Sequence, residues 1–189
     1  MIFEHKIDPV ALEIFNISIY WYSLSYFFGF LLGIQYIKYL IKRTSVDIKS
    51  DQIDDFFVWS VIGVIVGGRL GYVIFYNLEY FLLNPNEILM VWKGGMSFHG
   101  GLIGLSTSMY FFTKKQKISF FTFANIVSCS VPIGLFLGRI ANFINGELSG
   151  KPTNGLWGVK FNEDDIPRHP SQLYESFFEG LVLFIIFLC

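Results

Sequence analysis

Tyr20-Trp21-Tyr22-Ser23-Leu24-Ser25-Tyr26-Phe27-Phe28-Gly29-Phe30-Leu31-Leu32-Gly33-Ile34-Gln35-Tyr36-Ile37 carries no charge before Lys38. A helix needs roughly 20 predominantly apolar residues to cross a hydrocarbon core, and the run extends from about Ile19 to Ile41. Its aromatic start suits the membrane interface. Ser25, Gly29 and Gly33 recur every fourth residue, a small-residue stripe on which a second helix can pack closely.

The same pattern repeats outward. A second span covers about 53–76, with Gly63, Gly67 and Gly71 on one stripe and Arg69 among them. Asn84-Pro85-Asn86-Glu87 reads as a helix start, with Asn84 as N-cap, Pro85 first and Glu87 third. That helix, ending at Gly94-Gly95, is too short to cross and belongs on the surface. A third span covers about 96–113, with His99 in its first turn and Gly100 and Gly104 one turn apart. A fourth, about 119–144, contains Pro132, which predicts a kink, and a stripe of Ser130, Gly134 and Gly138. Residues 146–170 are polar and irregular, with acids at Glu163, Asp164 and Asp165. A fifth apolar segment, 171–189, runs to the last residue, Cys189.

Composition agrees. The 189 residues are 53% hydrophobic, 19% aromatic and 15% charged, with a mean hydropathy of +0.51, too apolar for an ordinary soluble domain. The expected fold is therefore an all-α polytopic membrane protein. It has about five transmembrane helices, a short surface helix and an irregular outer loop, forming a single transmembrane domain over 1–189. A formal net charge of −1 offers no basic field for nucleic acid, so the expected partner surface is the membrane. Cys129 and Cys189 support neither a disulfide framework nor a metal site, and three dispersed histidines give no metal-ligand spacing. Acidic residues before the first span argue against a cleaved leader.

Lysine and arginine bias sets orientation. Basic clusters follow spans one and three (Lys38, Lys42, Arg43; Lys114, Lys115, Lys117), so those ends are expected on the cytoplasmic side. The opposite face then receives Arg69, His99, Arg139, Asn142, Glu147 and His169.

Polar groups at that face are the candidates for chemistry. Gly138-Arg139-Ile140-Ala141-Asn142-Phe143-Ile144-Asn145-Gly146-Glu147-Leu148-Ser149-Gly150 places an arginine, asparagines and a glutamate at the end of an apolar run. Arg139 and Asn142 share a helix face. A guanidinium with amide donors suits a phosphate, whose oxygens it binds bidentately. Snorkelling to the headgroups is the bland alternative for Arg139 and for Arg69. His99 reads either as a base working near neutral pH or as a helix-end histidine satisfied by a carbonyl. Glu147 either pairs with an arginine, Arg139 first, or caps the loop. His169 is expected to order the start of the fifth span, and Tyr22 to sit in the interfacial aromatic belt. Gly68-Arg69-Leu70-Gly71 weakly echoes Gly138-Arg139-Ile140-Ala141, which raises the expectation of two guanidiniums facing one cavity.

The chain resembles the prolipoprotein diacylglyceryl transferase family. The stretch Gly138 to Gly150 carries the resemblance, with Gly67-Gly68-Arg69-Leu70-Gly71-Tyr72, Gly94-Gly95-Met96-Ser97-Phe98-His99-Gly100-Gly101 and Arg168-His169-Pro170-Ser171-Gln172-Leu173-Tyr174-Glu175. The resemblance implies a bacterial inner-membrane enzyme acting near the outer face. Such an enzyme moves the diacylglyceryl group of phosphatidylglycerol onto the thiol of a cysteine in a prolipoprotein signal peptide, releasing glycerol phosphate, with no metal or organic cofactor. It also implies roles: His99 as base, Arg139 and Asn142 at the phosphate or leaving group, Glu147 and Gly150 shaping that site, Arg69 and Tyr22 as secondary substrate contacts. Family members usually continue through two further spans bearing a second functional arginine and an acidic residue. That implies a C-terminally truncated chain. Glycine-striped helices with intramembrane arginines also fit a transporter or channel, and an inactive fragment of the transferase is the third reading.

Overall fold

The structure, a computed structural model, describes residues 3–15, 17–155, 157–161 and 166–188. Glu163, Asp164, Asp165 and Cys189 lie outside the described residues. Element order is β1 (Phe3–His5), β2 (Val10–Ile14), β3 (Ile17–Tyr20), α1 (Trp21–Arg43), α2 (Ser50–Tyr76), α3 (Leu78–Leu83), α4 (Phe98–Gln116), α5 (Phe120–Ser128), α6 (Val131–Asn145), β4 (Val159–Phe161), α7 (Ser171–Glu175) and α8 (Leu183–Leu188). Two 3-10 turns, Pro85–Leu89 and Val91–Lys93, lie between α3 and α4, and a π-helical segment, Ser176–Val182, joins α7 to α8.

Among the described residues, four helical stretches are long and apolar enough to cross a membrane: α1, α2, Phe120–Asn145 taken together, and Ser171–Leu188. The chain is a multi-pass membrane protein. The expected third span is α4, of 19 residues, about 28 Å long. Its serines, threonines, glycines and lysines leave it below the apolarity of the other four.

The chain forms two compact units, residues 40–126 and residues 1–39 with 127–189. In the first, α2 packs on α4 through the two glycine rows read from the sequence. A Cβ on Gly67 would stand 2.6 Å from the Gly104 Cα, and one on Gly71 would stand 2.7 Å from the Gly100 Cα. No side chain fits, so the backbones close on each other and gain dispersion contacts over their length. Below the glycines, Phe56, Phe112 and Phe123 form a buried aromatic cluster, Phe56 to Phe123 edge-on at 4.9 Å. Ser97 starts α4 by accepting the Gly100 N–H at 3.2 Å, an N-cap made by the side chain.

In the second unit the stripes of α1 and α6 meet more loosely. A Cβ on Gly29 would sit 3.7 Å from the Gly134 Cα, and one on Gly33 would sit 3.7 Å from the Ser130 Cβ. These are ordinary van der Waals separations. The first residues and the outer loop, expected as surface and irregular segments, hold short strands. β1 pairs in parallel with β4, Phe3 opposite Val159, and β2 and β3 form an antiparallel hairpin. His5 of β1 is buried between Phe143 and Phe161, 5.3 Å from each ring centroid.

Two expectations need correction. Pro132 does not kink a continuous helix: α5 stops at Ser128 and α6 begins at Val131 with Pro132 in its first turn. A mid-helix proline would clash with the Ser128 carbonyl, whereas in a first turn its missing N–H costs nothing. Nor is Pro85 to Lys93 one capped helix. Asn84 makes no forward cap; its Nδ2 reaches back to the Tyr80 carbonyl at 3.0 Å and closes α3 instead.

Candidate active site

The residues singled out from the sequence fall in both units. Tyr22, Arg139, Asn142, Glu147 and Gly150 belong to one, Arg69 and His99 to the other.

α6 ends where the signature ends. Gly146 adopts a left-handed conformation at φ 69°, and the Glu147 N–H returns to the Asn142 carbonyl at 3.0 Å. This Schellman-like stop turns the chain sharply out of the helix. Asn142 itself is 7% exposed. Glu147 does not pair with Arg139; its Oε1 accepts from Asn145 Nδ2 at 2.7 Å. Arg139 turns to Glu175, Nε standing 2.8 Å from Oε2, with the two side chains 28% and 36% exposed. This contact is an ion pair and not an aligned hydrogen bond, since the buried Arg139 Nε–H meets no acceptor in line.

The segment Arg168 to Glu175 clasps the loop after α6. Gly150 N–H donates to the His169 carbonyl at 2.9 Å, His169 N–H to the Lys151 carbonyl at 3.0 Å, and Ser171 Oγ to the Leu148 carbonyl at 3.0 Å. Gln172, wholly buried, donates from Nε2 to the Glu147 carbonyl. Gly150 has no room for a side chain: a Cβ there would lie 2.9 Å from the His169 oxygen and 3.2 Å from the Ser171 Cβ. His169 Nδ1 lies 3.3 Å from the Tyr174 hydroxyl, so it orders the start of the last helix. Two polar atoms here, Asn145 Oδ1 and Gln172 Oε1, are buried without a hydrogen-bond partner among the described residues. Buried polar atoms are ordinarily paired; these two acceptors are available to a polar ligand.

Tyr22 stands in the first turn of α1. Its hydroxyl lies 3.5 Å from that of Tyr26, and the Trp21 N–H, bonded to the Pro9 carbonyl at 3.1 Å, ties this turn to the start of β2.

In the other unit Arg69 is 5% exposed and committed to backbone. Nε donates to the Ile88 carbonyl at 2.9 Å, Nη2 to Glu87 at 2.7 Å, and Nη1 to Gly94 and to Gly95, the latter at 3.2 Å. Phe81 stacks below it, 5.0 Å from the guanidinium carbon. Tyr72, Asn77, Tyr80, Glu87 and Lys93 complete this pocket. Their polar groups satisfy one another: Asn77 Nδ2 donates to the Tyr72 hydroxyl at 2.8 Å, and Tyr80 and Lys93 both donate to Glu87. The guanidinium of Arg69 is thus spent inside the fold, unlike that of Arg139. His99, exposed in the first turn of α4, touches the Phe98 ring at 5.6 Å and has no hydrogen-bond partner among the described residues. No carbonyl of the described residues holds its ring in place.

Sequence reasoning missed Gln172, Ser171 and Glu175 as site residues. Their motif was visible, but nothing local shows that Gln172 reaches back 25 residues to Glu147.

Comparison with known proteins agrees with the resemblance. The family model described as prolipoprotein diacylglyceryl transferase matches residues 9–189. A phosphatidylglycerol–prolipoprotein diacylglyceryl transferase of Azospirillum brasilense is 53% identical over 183 residues, which cover 95% of this chain and 68% of that protein. Proteins of the same name are 52% identical in Rickettsia canadensis, covering 98% of this chain and 72% of the relative, and in Rickettsia felis, covering 96% and 70%. With family match, identity and motif geometry in accord, the chain belongs to the prolipoprotein diacylglyceryl transferase family.

Proposed function

We propose that this chain transfers the diacylglyceryl group of phosphatidylglycerol to the thiol of the lipobox cysteine in a prolipoprotein signal peptide, releasing glycerol phosphate. One observation carries the assignment to a site: Arg139 lies within the apolar helix α6, partly exposed, with Glu175 against its Nε, and that helix runs into a loop whose backbone is clasped shut. A partly exposed cation on a rigid frame suits a phosphate on which charge develops as it departs.

In this reading the cysteine sulfur attacks the glyceryl carbon that bears the phosphate oxygen. The new S–C bond forms as that C–O bond breaks, and its electron pair leaves with the phosphate. A thiol with a pKa near 8.5 is only a few per cent thiolate at pH 7, so a base helps. His99 is the candidate, since its ring is exposed and without a partner among the described residues. The thiol proton ends on the released glycerol phosphate. Arg139 and Asn142 face the phosphate, Glu147 and Gly150 shape its surroundings, and Tyr22 contacts the lipid. Arg69 contributes by holding structure.

The chain works as one transmembrane domain of five spans in the bacterial inner membrane, with the site at the outer face. Support comes from the basic last turns of α1 (Lys42, Arg43) and α4 (Lys114, Lys115), which the positive-inside rule puts together on the cytoplasmic side. The product has a physical logic: one acyl chain holds a protein marginally, whereas two anchor it stably.

Mass spectrometry of a lipoprotein signal peptide incubated with phosphatidylglycerol and this protein in detergent tests the assignment. The peptide gains the mass of a diacylglyceryl group with the wild type and not with Arg139→Ala. An unmodified peptide with the wild type, together with solute flux in sealed vesicles, would replace the transferase by a transporter.

A further inference from the structure

We infer that Glu175 is a further positioning residue of the transferase: it holds Arg139 by its Nε edge, so that the Nη1/Nη2 edge is left to face phosphate. The inference rests on the assignment of Arg139 to the phosphate of the departing group.

A guanidinium offers five N–H groups in a rigid planar fork, and an anion can dock on more than one edge of it. Arg139 has a carboxylate at one of them, Glu175 Oε2 being 2.8 Å from Nε. An ion pair exposed as far as this one adds little to stability, too little to account for a carboxylate set against the one arginine of the signature. Orientation is the larger consequence. A free arginine would sample several rotamers; a carboxylate 2.8 Å from Nε favours those that leave the other edge open.

The helix around Glu175 is built to place it. α7 ends at Glu175, and the next residues, Ser176–Val182, wind as a π-helix. A π turn takes up about one extra residue, which rotates everything past it by roughly 100° relative to a continuous α-helix. π segments of this kind are frequent at functional sites. Two contacts pin this one to α6, both at the same residue. Ser176 Oγ donates to the Phe136 carbonyl at 3.0 Å, and Gly180 lies so close that a Cβ on it would stand 2.7 Å from the Phe136 Cα. Phe136 is one turn before Arg139. The two helices are therefore locked in register one turn from the pair, and Glu175 immediately precedes the lock. On its other side Gln172 is buried against the loop after α6. Glu175 is fixed from both directions.

The consequence for turnover differs from that of losing a phosphate ligand. Without Glu175 the cation remains, so lipid still binds; the guanidinium is no longer aimed, and the transition state suffers. Glu175→Gln, nearly isosteric, is expected to lower kcat on the order of 10- to 100-fold, the scale on which misplacement of a reacting group acts. The KM for phosphatidylglycerol stays within about twofold or falls. Ser176→Ala, which removes the bond to Phe136, should move kcat the same way by less. A second readout does not need turnover. With arginine labelled in nitrogen, the Arg139 Nε–H resonance of the wild type holds its position as glycerol phosphate is added, whereas in Glu175→Gln it shifts and exchanges faster with water.

Wild-type kcat in Glu175→Gln, or a KM raised in proportion to the loss of kcat/KM, overturns the inference. So does an Nε resonance that responds identically in both proteins. Failure of the underlying assignment looks different: Arg139→Gln would then transfer lipid at the wild-type rate, or glycerol phosphate would leave every Arg139 resonance unmoved.

Discussion

The Ser97 N–H donates to the Gly68 carbonyl at 2.9 Å, tying the first residue of the α4 cap to the residue before Arg69. Together with the Arg69 bonds to Glu87, Ile88, Gly94 and Gly95, it closes a knot around the segment from which α4 and His99 emerge.

Arg69→Ala should therefore act as a lost clamp. Several part-buried carbonyls lose a charged donor at once, each such bond being worth about 1.5–3 kcal/mol at most and the set less than its sum. The expected signs are a lower melting temperature in detergent and faster amide exchange over 87–97, with kcat falling more than the KM for phosphatidylglycerol rises. Arg69→Lys recovers little, because an ammonium cannot span four carbonyls in one plane. A protected 87–97 segment with a raised KM would return Arg69 to the lipid-contact role.

Glycines that read alike in the sequence are predicted to respond differently. Gly104→Ala places a Cβ 2.8 Å from the Gly67 Cα, backbone that cannot swing aside, whereas Gly134 has nothing within 4 Å of its own. Gly104→Ala should cost about 1–3 kcal/mol, the range for overpacking a filled interface. Gly134→Ala should be neutral within about 0.5 kcal/mol. Thermal unfolding of the two proteins in one detergent separates them; equal losses would mean that α2 and α4 are not in the contact described.

The difference between those glycine pairs marks how far the sequence could be read. Apolar runs near the length of a bilayer, and small residues at every fourth position, are local signals, and the helices follow them. The break at Cys129 and Ser130 is local too, but the proline that causes it fits a kink as well as a new start; tertiary context decides. β1 and β4 are invisible because their pairing joins residues more than 150 positions apart in three-residue strands. The site divides in the same way. Arg139, Asn142 and Gly150 stand out as polar groups or glycines at a helix end, whereas Glu175, Gln172 and Ser171 matter through partners on another helix. Arg69 was legible as an unusual residue but not as a satisfied one, since its acceptors are main-chain carbonyls that no side-chain pattern announces.

Acid should loosen the knot through Glu87. Lys93 Nζ at 2.8 Å and the Tyr80 hydroxyl at 2.9 Å both donate to its carboxylate. The Lys93 bond first and the Tyr80 bond second hold its pKa below the ordinary value of 4.5. The unfolded chain then binds the proton more readily than the folded one, so stability rises with pH across this window. The contribution is complete above about pH 4.5 and is lost as pH falls through the depressed folded value. Amide exchange over 84–94, referred to intrinsic rates at pH 6 and at pH 3.5, should show protection dropping in the wild type. In Glu87→Gln protection is already low and nearly flat with pH. A wild-type profile as flat as that of the variant would remove Glu87 from the knot.

Gly150 is the position where fold and chemistry are hardest to separate, which makes its substitution informative. Its left neighbours are fixed by Ser171 and Gln172, and its own N–H is bonded to His169, so an added methyl meets the His169 oxygen at 2.9 Å with no soft group to yield. The loop must open locally by a few tenths of an ångström, away from α7. α6, stopped by Gly146 before the loop begins, need not move. Gly150→Ala is therefore expected to keep the helical signal and a melting temperature within about 4 °C of wild type, the effect of roughly 1 kcal/mol. Transfer should drop by about 10-fold or more, less than the roughly 100-fold cost of misplacing reacting groups by a full ångström. Ser171→Ala, which removes one strut and adds no bulk, should show a smaller loss. If Gly150→Ala unfolds the protein as severely as it inactivates it, the loop is a structural element first; if it transfers lipid normally, the 147–151 segment lies away from the reacting groups.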